Sequence, residues 1–270
     1  MTAATATPVR PVRTRTLALG VGLLWVGVLI ALPLAALLAL SVADGPLGFA
    51  RAVTAPGALA SLTTTLTLAA AVALCSAVFG TLIAWVLVRD DFAGKRFADA
   101  LIDIPFALPT IVASIVMLAL YGPESPVGLH LSSTRAGVFV ALAFVTLPFV
   151  VRSVQPVLAE LETDAEEAAE LLGAGTWTTL RHVVWPAIRP AVISGTGLAF
   201  ARAIGEFGSV ALIGGNLPGV TQVTSQYIAQ RIEVGDPTGG AAVSVTLLAI
   251  AFGVLASLRV LARGRSGRWA

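Results

Sequence analysis

Apolar residues in this chain gather in long, nearly uncharged runs. Six stand out: Leu17 to Leu40, Leu62 to Val88, Ala100 to Tyr121, Ala136 to Val151, Ala191 to Ile213 and Gly239 to Ala262. A helix rises about 1.5 Å per residue, so about 20 apolar residues cross a hydrocarbon core about 30 Å thick. The runs therefore predict six spanning helices, the fourth being the shortest and open to extension at either end. Prolines 33, 105, 109 and 148 lie within the runs. They are expected to kink or locally unwind their helices, which a membrane tolerates only where protein or a water-lined cavity satisfies the freed backbone groups.

Composition fits the pattern. Of 270 residues, 57% are hydrophobic and only 12% charged, more apolar side chain than a soluble interior of this size can hide. The fold class implied is all-α, a polytopic membrane protein. Residues 1–16, polar, basic and rich in Pro and Thr, read as a disordered tail, and 263–270 as a second tail. The first run has 24 residues, longer than a signal-peptide core of about 7 to 15, and is read as a retained span.

Charge placement adds orientation. With the N-terminus inside, 13 of the 17 cations fall on the cytoplasmic side, which is where membrane proteins concentrate them. Both termini are then expected in the cytoplasm, and the long loop Arg152 to Pro190 lies there too. A net charge of +2 gives no reason to expect a nucleic-acid partner; lipid is the expected surroundings. Cys75, the single cysteine, allows no disulfide and reads as a small buried residue. No phosphate-cradling "GxxxxGK[ST]" is present: "FAGKRF" lacks the first glycine and the hydroxyl residue. No ATP site is therefore expected in this chain.

The long loop contains "EEAAELLGAGTWTTLRHVVWP", Glu166 to Pro186. Thr163 and Glu166 have capping-box spacing, and acidic residues cluster where a helix would start. Glycines 173 and 175 then interrupt it, Gly173 as a left-handed cap. Thr176 is placed to cap a second short helix, "WTTLRHVVW", that Pro186 closes. Ala168, Ala169, Leu171 and Leu172 put small and apolar groups on a helix too short to stand alone, so it needs a surface to pack upon.

This insert resembles the cytoplasmic signature of bacterial ABC-importer permeases: Glu-Ala-Ala, three residues, Gly, nine residues, then Ile-x-Leu-Pro. Here it reads Glu167-Ala168-Ala169, Gly173, then Val183-Val184-Trp185-Pro186, with Val for Ile and Trp for Leu. The resemblance implies a coupling helix in which Glu167, Ala168, Ala169 and Gly173 contact a separate ATPase dimer, the second helix and Pro186 bracing it. ATP and Mg would be bound by that partner.

Asp103, Arg202 and Glu206 are ionisable residues well inside the runs, each costly there unless paired or wetted. Arg202 and Glu206 are four apart, on one helical face. They suit a structural ion pair, or an anion route in which Glu206 moderates Arg202. Glycines 205 and 208 beside them allow close packing or a local break. Asp103, near the inner interface, is expected to snorkel or cap. "GEFG", Gly205 to Gly208, resembles sulfate/thiosulfate and molybdate/tungstate permeases, and "DIPFALPT", "YGP" and "TQVTSQYIAQRIEVGDP" lean towards sulfate. That likeness implies a second permease subunit, a paralogue in sulfate systems, and an external sulfate-binding protein. Thr221, Gln222, Thr224 and Ser225 are placed to meet that protein in the outer loop. An ion-driven secondary transporter would leave the insert unexplained and calls for inverted repeats that are not seen. An intramembrane enzyme would need a nucleophile or metal cluster within the spans, and His130 and His182 lie outside them.

Overall fold

The computed structural model describes residues 12–161 and 163–263, and every regular element among them is helical. Helix α1 (Val12–Val26) passes through one wide π turn, Gly27–Ala31, into α2 (Leu32–Ser41). Pro33 is the cause. Lacking an N–H, it cannot continue the ordinary ladder, and the Leu32 N–H reaches five residues back to the Gly27 carbonyl. The helix starts inside the stretch expected to be a tail, of which residues 1–11 lie outside the described residues.

Next come a connector, α3 (Gly45–Thr54), and the long α4 (Pro56–Arg89). The third run does not form one straight helix. It divides into α5 (Lys95–Ala107) and α6 (Thr110–Tyr121), turned by 115°. The break falls where a proline ring excludes helical geometry from the preceding residue, leaving Leu108 extended at φ −80°, ψ 132°. Pro105 stays inside α5.

Helix α7 (Arg135–Glu160) extends well beyond the run that predicted it and carries Pro148 and Pro156. The Thr134 hydroxyl starts it by accepting from the Gly137 N–H, at 3.1 Å. The insert follows as α8 (Thr163–Leu171) and α9 (Thr176–Thr179), and a second π turn, Leu180–Val184, leads into α10 (Trp185–Ile204). Pro186 therefore does not close a helix, contrary to expectation. The Trp185 N–H reaches five residues back to Leu180, and the chain runs helically from Thr176 to Ile204. The fifth span, expected at 191–213, shifts with it. It begins in the insert and stops at Gly205. A short α11 (Thr224–Glu233) and the closing α12 (Pro237–Arg263) complete the order. Five helical stretches are long and apolar enough to cross a membrane, and the bent α5–α6 pair makes a sixth if counted as one span.

Helices α4, α7 and α10 form the centre of the bundle. They meet at Val150: a Cβ on Gly80 would lie 2.8 Å from its Cβ, and one on Gly195 2.9 Å from its Cα. Glycine is needed there for close approach, as is usual between helices in lipid. One apolar cluster, with Leu68, Val72, Leu142, Phe200 and Ile213, fills the half away from the insert. A second, with Leu87, Val154, Leu158, Val184 and Ile188, fills the half nearer to it. Cys75 is half-buried, more open than expected. Helix α2 packs against α12, while Leu23 and Leu24 of α1 stay about two-thirds exposed.

Candidate functional site

The insert ends α8 with a left-handed residue, as its glycine predicts. Gly173 has φ +83°, and the Ala174 N–H donates to the Ala169 carbonyl at 3.0 Å, closing the last turn. A Cβ at Gly173 would meet nothing within 4 Å, so the backbone conformation, not lack of space, demands glycine. The second expected cap differs: Gly175 is the N-cap, no side chain bonds there, and Thr176 is already helical. Of the expected capping box, the Thr163 side chain lies outside the described residues, and Glu166 is engaged elsewhere.

Glu166 forms an ion pair with Arg89 at the end of α4. Both side chains are about four-fifths buried, at 19% and 22% exposure, and the Arg89 guanidinium lies over the Trp85 ring, 5.7 Å from its centroid. The pair ties the insert to a central helix 77 residues away in sequence. Glu167, Ala168, Gly173 and Pro186 are exposed, and Ala169 is half-buried. Leu171 and Leu172 are nearly bare, at 89% and 88%, with Trp177 at 71%. A nine-residue helix thus presents an apolar end with nothing upon it among the described residues.

Asp103 neither snorkels nor caps. It accepts a two-pronged contact from Arg152, Nε to Oδ1 at 2.8 Å and Nη2 to Oδ2 at 2.7 Å. Arg152 also donates to the Asp99 carboxylate at 2.6 Å and the Asp99 carbonyl at 2.8 Å, and Gln155 bonds both partners. Arg152, expected in a loop, lies inside α7. It pins the bent α5 to the bundle, helped by an edge-on contact of Phe106 with Phe149.

Arg202 and Glu206 do pair, as their spacing suggests. Glu206 is only 2% exposed. Its carboxylate also accepts from the Ser209 N–H at 2.8 Å, and its carbonyl accepts from the Ser225 hydroxyl at 2.7 Å. Gly205 ends α10. Gly208 presses on the first turn of α6, where any Cβ would collide with Thr110. The "GEFG" loop therefore folds back into the bundle, and the Ser114 hydroxyl of α6 accepts from the Leu212 N–H at 2.9 Å.

The residues expected to greet an external protein are mostly interior. Thr221 and Thr224 are fully buried and Gln222 nearly so, with Ser225 half-buried. Thr221 donates to the Gly214 carbonyl at 2.6 Å, Gln222 to Gln230 at 2.9 Å, and Thr224 bonds the Thr65 hydroxyl of α4 at 2.9 Å. Each of these side chains has an internal hydrogen-bond partner, which makes its burial affordable. Beyond α11, Asp236 accepts from the Gly239 N–H at 2.8 Å and from Arg231. The Gly239 N–H first, and Arg231 next, hold its carboxyl below the usual range, while Asp236 raises Arg231. His130 and His182 are exposed.

Residues 76–266 match the family described as binding-protein-dependent transport system inner membrane component. The chain belongs to that family. Among its relatives, the sulfate transport system permease protein CysT of Escherichia coli (strain K12) is 39% identical over 260 residues, 94% of each chain. CysT of Synechocystis sp. is 40% identical over 248 residues, 89% of this chain and 87% of that one. The probable cysT permease of Nephroselmis olivacea is 41% identical over 243 residues, 87% and 86%. In fold, the permease is similar to a bacterial alginate ABC transporter solved with its pentasaccharide-bound periplasmic protein, with TM-score 0.78 and 13% identity over 94% of this chain and 95% of that one. It is also similar to the inward-facing MetNI methionine ABC transporter, with TM-score 0.57 and 20% identity over 76% and 95%.

The permease is thus a multi-pass membrane subunit of the ABC-transporter kind. Its two inter-element ion clusters, Arg89 with Glu166 and Arg152 with Asp99 and Asp103, escaped sequence reasoning. Each arginine sits at the edge of an apolar run, where positive-inside counting absorbs it.

Proposed function

We propose that the permease imports sulfate or thiosulfate across the bacterial inner membrane, with both termini in the cytoplasm, driven by a separate ATPase dimer that binds ATP and Mg. A second permease, a paralogue of this one, and an external sulfate-binding protein complete the machine. The relatives' names support the substrate. The observation that carries the coupling is the exposed face of α8, where Glu167, Ala168, Leu171 and Leu172 project beside the Gly173 break.

An ATPase groove closing on α8 moves it along two tethers. One is the continuous helix from Thr176 to Ile204, which ends at the Arg202–Glu206 pair. The other is the Arg89–Glu166 link to α4. Displacement of the insert thereby tilts two of the three central helices together. A dianion passing Arg202 meets a cation already half-neutralised by buried Glu206, and weak binding is what release requires.

Uptake of labelled sulfate into vesicles tests the reading, with and without the ATPase and with molybdate as competitor. Strict ATP dependence and weak competition are expected. Uptake driven by an ion gradient without the ATPase would overturn it, and preferential molybdate uptake would reassign the substrate.

A further inference from the structure

A groove of about 650 Å³ opens between α4 and the start of α10, against roughly 30 Å³ for a single water. It is lined by Leu82 and Ile188, which the helix rise places deepest and which form its floor, by Trp85, Trp177 and Trp185, and, towards the insert, by Arg181. Leu82 lies seven residues before Arg89, so the floor sits roughly 10 Å deeper than the end of α4. An ATPase docked on α8 cannot reach that depth, whereas an acyl chain lies there already. Trp85 and Trp185 lie between that floor and the insert, in the zone where an amphipathic ring meets both lipid and water, and Trp177 lies about 12 Å nearer the insert along the helix. Arg181 stands between Trp177 and Trp185 on the π turn that Pro186 imposes. It is exposed and makes no ion pair with a described residue, while neighbouring Arg89 is already engaged by Glu166 and Trp85.

We propose that this groove holds one anionic phospholipid, its phosphate on the Arg181 guanidinium and an acyl chain along Leu82 and Ile188. Charge selects the occupant. A zwitterionic lipid offers the same phosphate with its own cation attached and so gains less from Arg181, and a cationic one would be repelled. Because α9 and the π turn form one wall and α4 the other, the lipid stands between the two tethers of the insert. The inference needs only the membrane setting and holds whether or not α8 docks an ATPase.

The full-length permease in nanodiscs of phosphatidylcholine, with or without phosphatidylglycerol, tests it by native mass spectrometry. One retained phosphatidylglycerol is expected. Its preference over phosphatidylcholine should fall about fivefold in Arg181→Gln, the factor for one interfacial cation, and persist in Arg181→Lys. Arg259→Gln, at a different groove beside α12, should leave it unchanged. Phosphatidylglycerol brominated on its chains should quench Trp85 and Trp185 fluorescence more than the brominated phosphatidylcholine. Equal retention in wild type and Arg181→Gln, or equal quenching by both lipids, overturns the proposal. So does cross-linking of Trp177→Cys to a second permease across the groove.

Discussion

The insert and the far-end segment that follows α10 both leave the bundle between long helices, yet they invert what their compositions suggest. The insert is acidic, and its apolar Leu171 and Leu172 are almost wholly exposed. The far-end segment is rich in Thr, Gln and Ser, and its Thr221 and Thr224 are wholly buried. Burial followed available partners, not polarity. Thr224 finds the Thr65 hydroxyl and Thr221 the Gly214 carbonyl, so their desolvation is offset. Leu171 and Leu172 find no cover among the described residues. The far end completes the permease's own core, and the insert, on the proposal above, is half of an interface.

If so, the two regions should fail in different assays. Gly173→Asp forces a side chain into φ +83° and should abolish sulfate uptake while membrane insertion and thermal stability stay normal. A parallel loss of stability would make the insert part of the core. Arg202→Ala should do the reverse in kind, leaving the carboxylate of Glu206 buried without its cation. About 3–5 kcal/mol of stability should go, read as a lowered melting temperature in detergent, and Glu206→Gln in the same background should recover part of it. Thr65→Val, beneath the far end, should cost about 1–3 kcal/mol by orphaning the Thr224 hydroxyl and N–H, both of which donate to Thr65, whereas Thr178→Val, exposed on the insert, should change the melting temperature little.

The smallest effect is expected from pH. Asp236 has a lowered pKa when folded, so its contribution is present above the unfolded value of about 3.9 and fades as pH falls through the folded one. Faster amide exchange around Gly239 below about pH 4 should appear in wild type and be absent in Asp236→Asn, which is already loosened at neutral pH. Exchange in the insert should not share this profile.

Much of the bundle could be read from sequence because the bilayer imposes a length on each apolar run and punishes unpaired backbone groups. Runs 62–88 and 239–262 needed only small extensions. Pro186 departs from its local expectation because a proline's effect depends on whether the helix can widen around it, and here the Leu180–Val184 turn does so. The break at Leu108 had a local cause in Pro109, but its 115° angle is held by remote contacts: Arg152 on α5, and Gly208 and Leu212 against α6. Among the candidate site residues, spacing alone paired Arg202 with Glu206. Glu166 was given to a helix cap because Arg89, 77 residues away, is invisible to local reasoning.

By itself the sequence determined what depends on one segment and its solvent: the apolar runs, the left-handed stop at Gly173, and a signature specific enough to name a family. Tertiary structure alone decided which charges are partners and which polar residues are interior. Thr221, Gln222 and Thr224 look like surface until Gly214, Gln230 and Thr65 are brought to them. A hydrogen bond or ion pair is a relation between two places, and only the fold supplies the second.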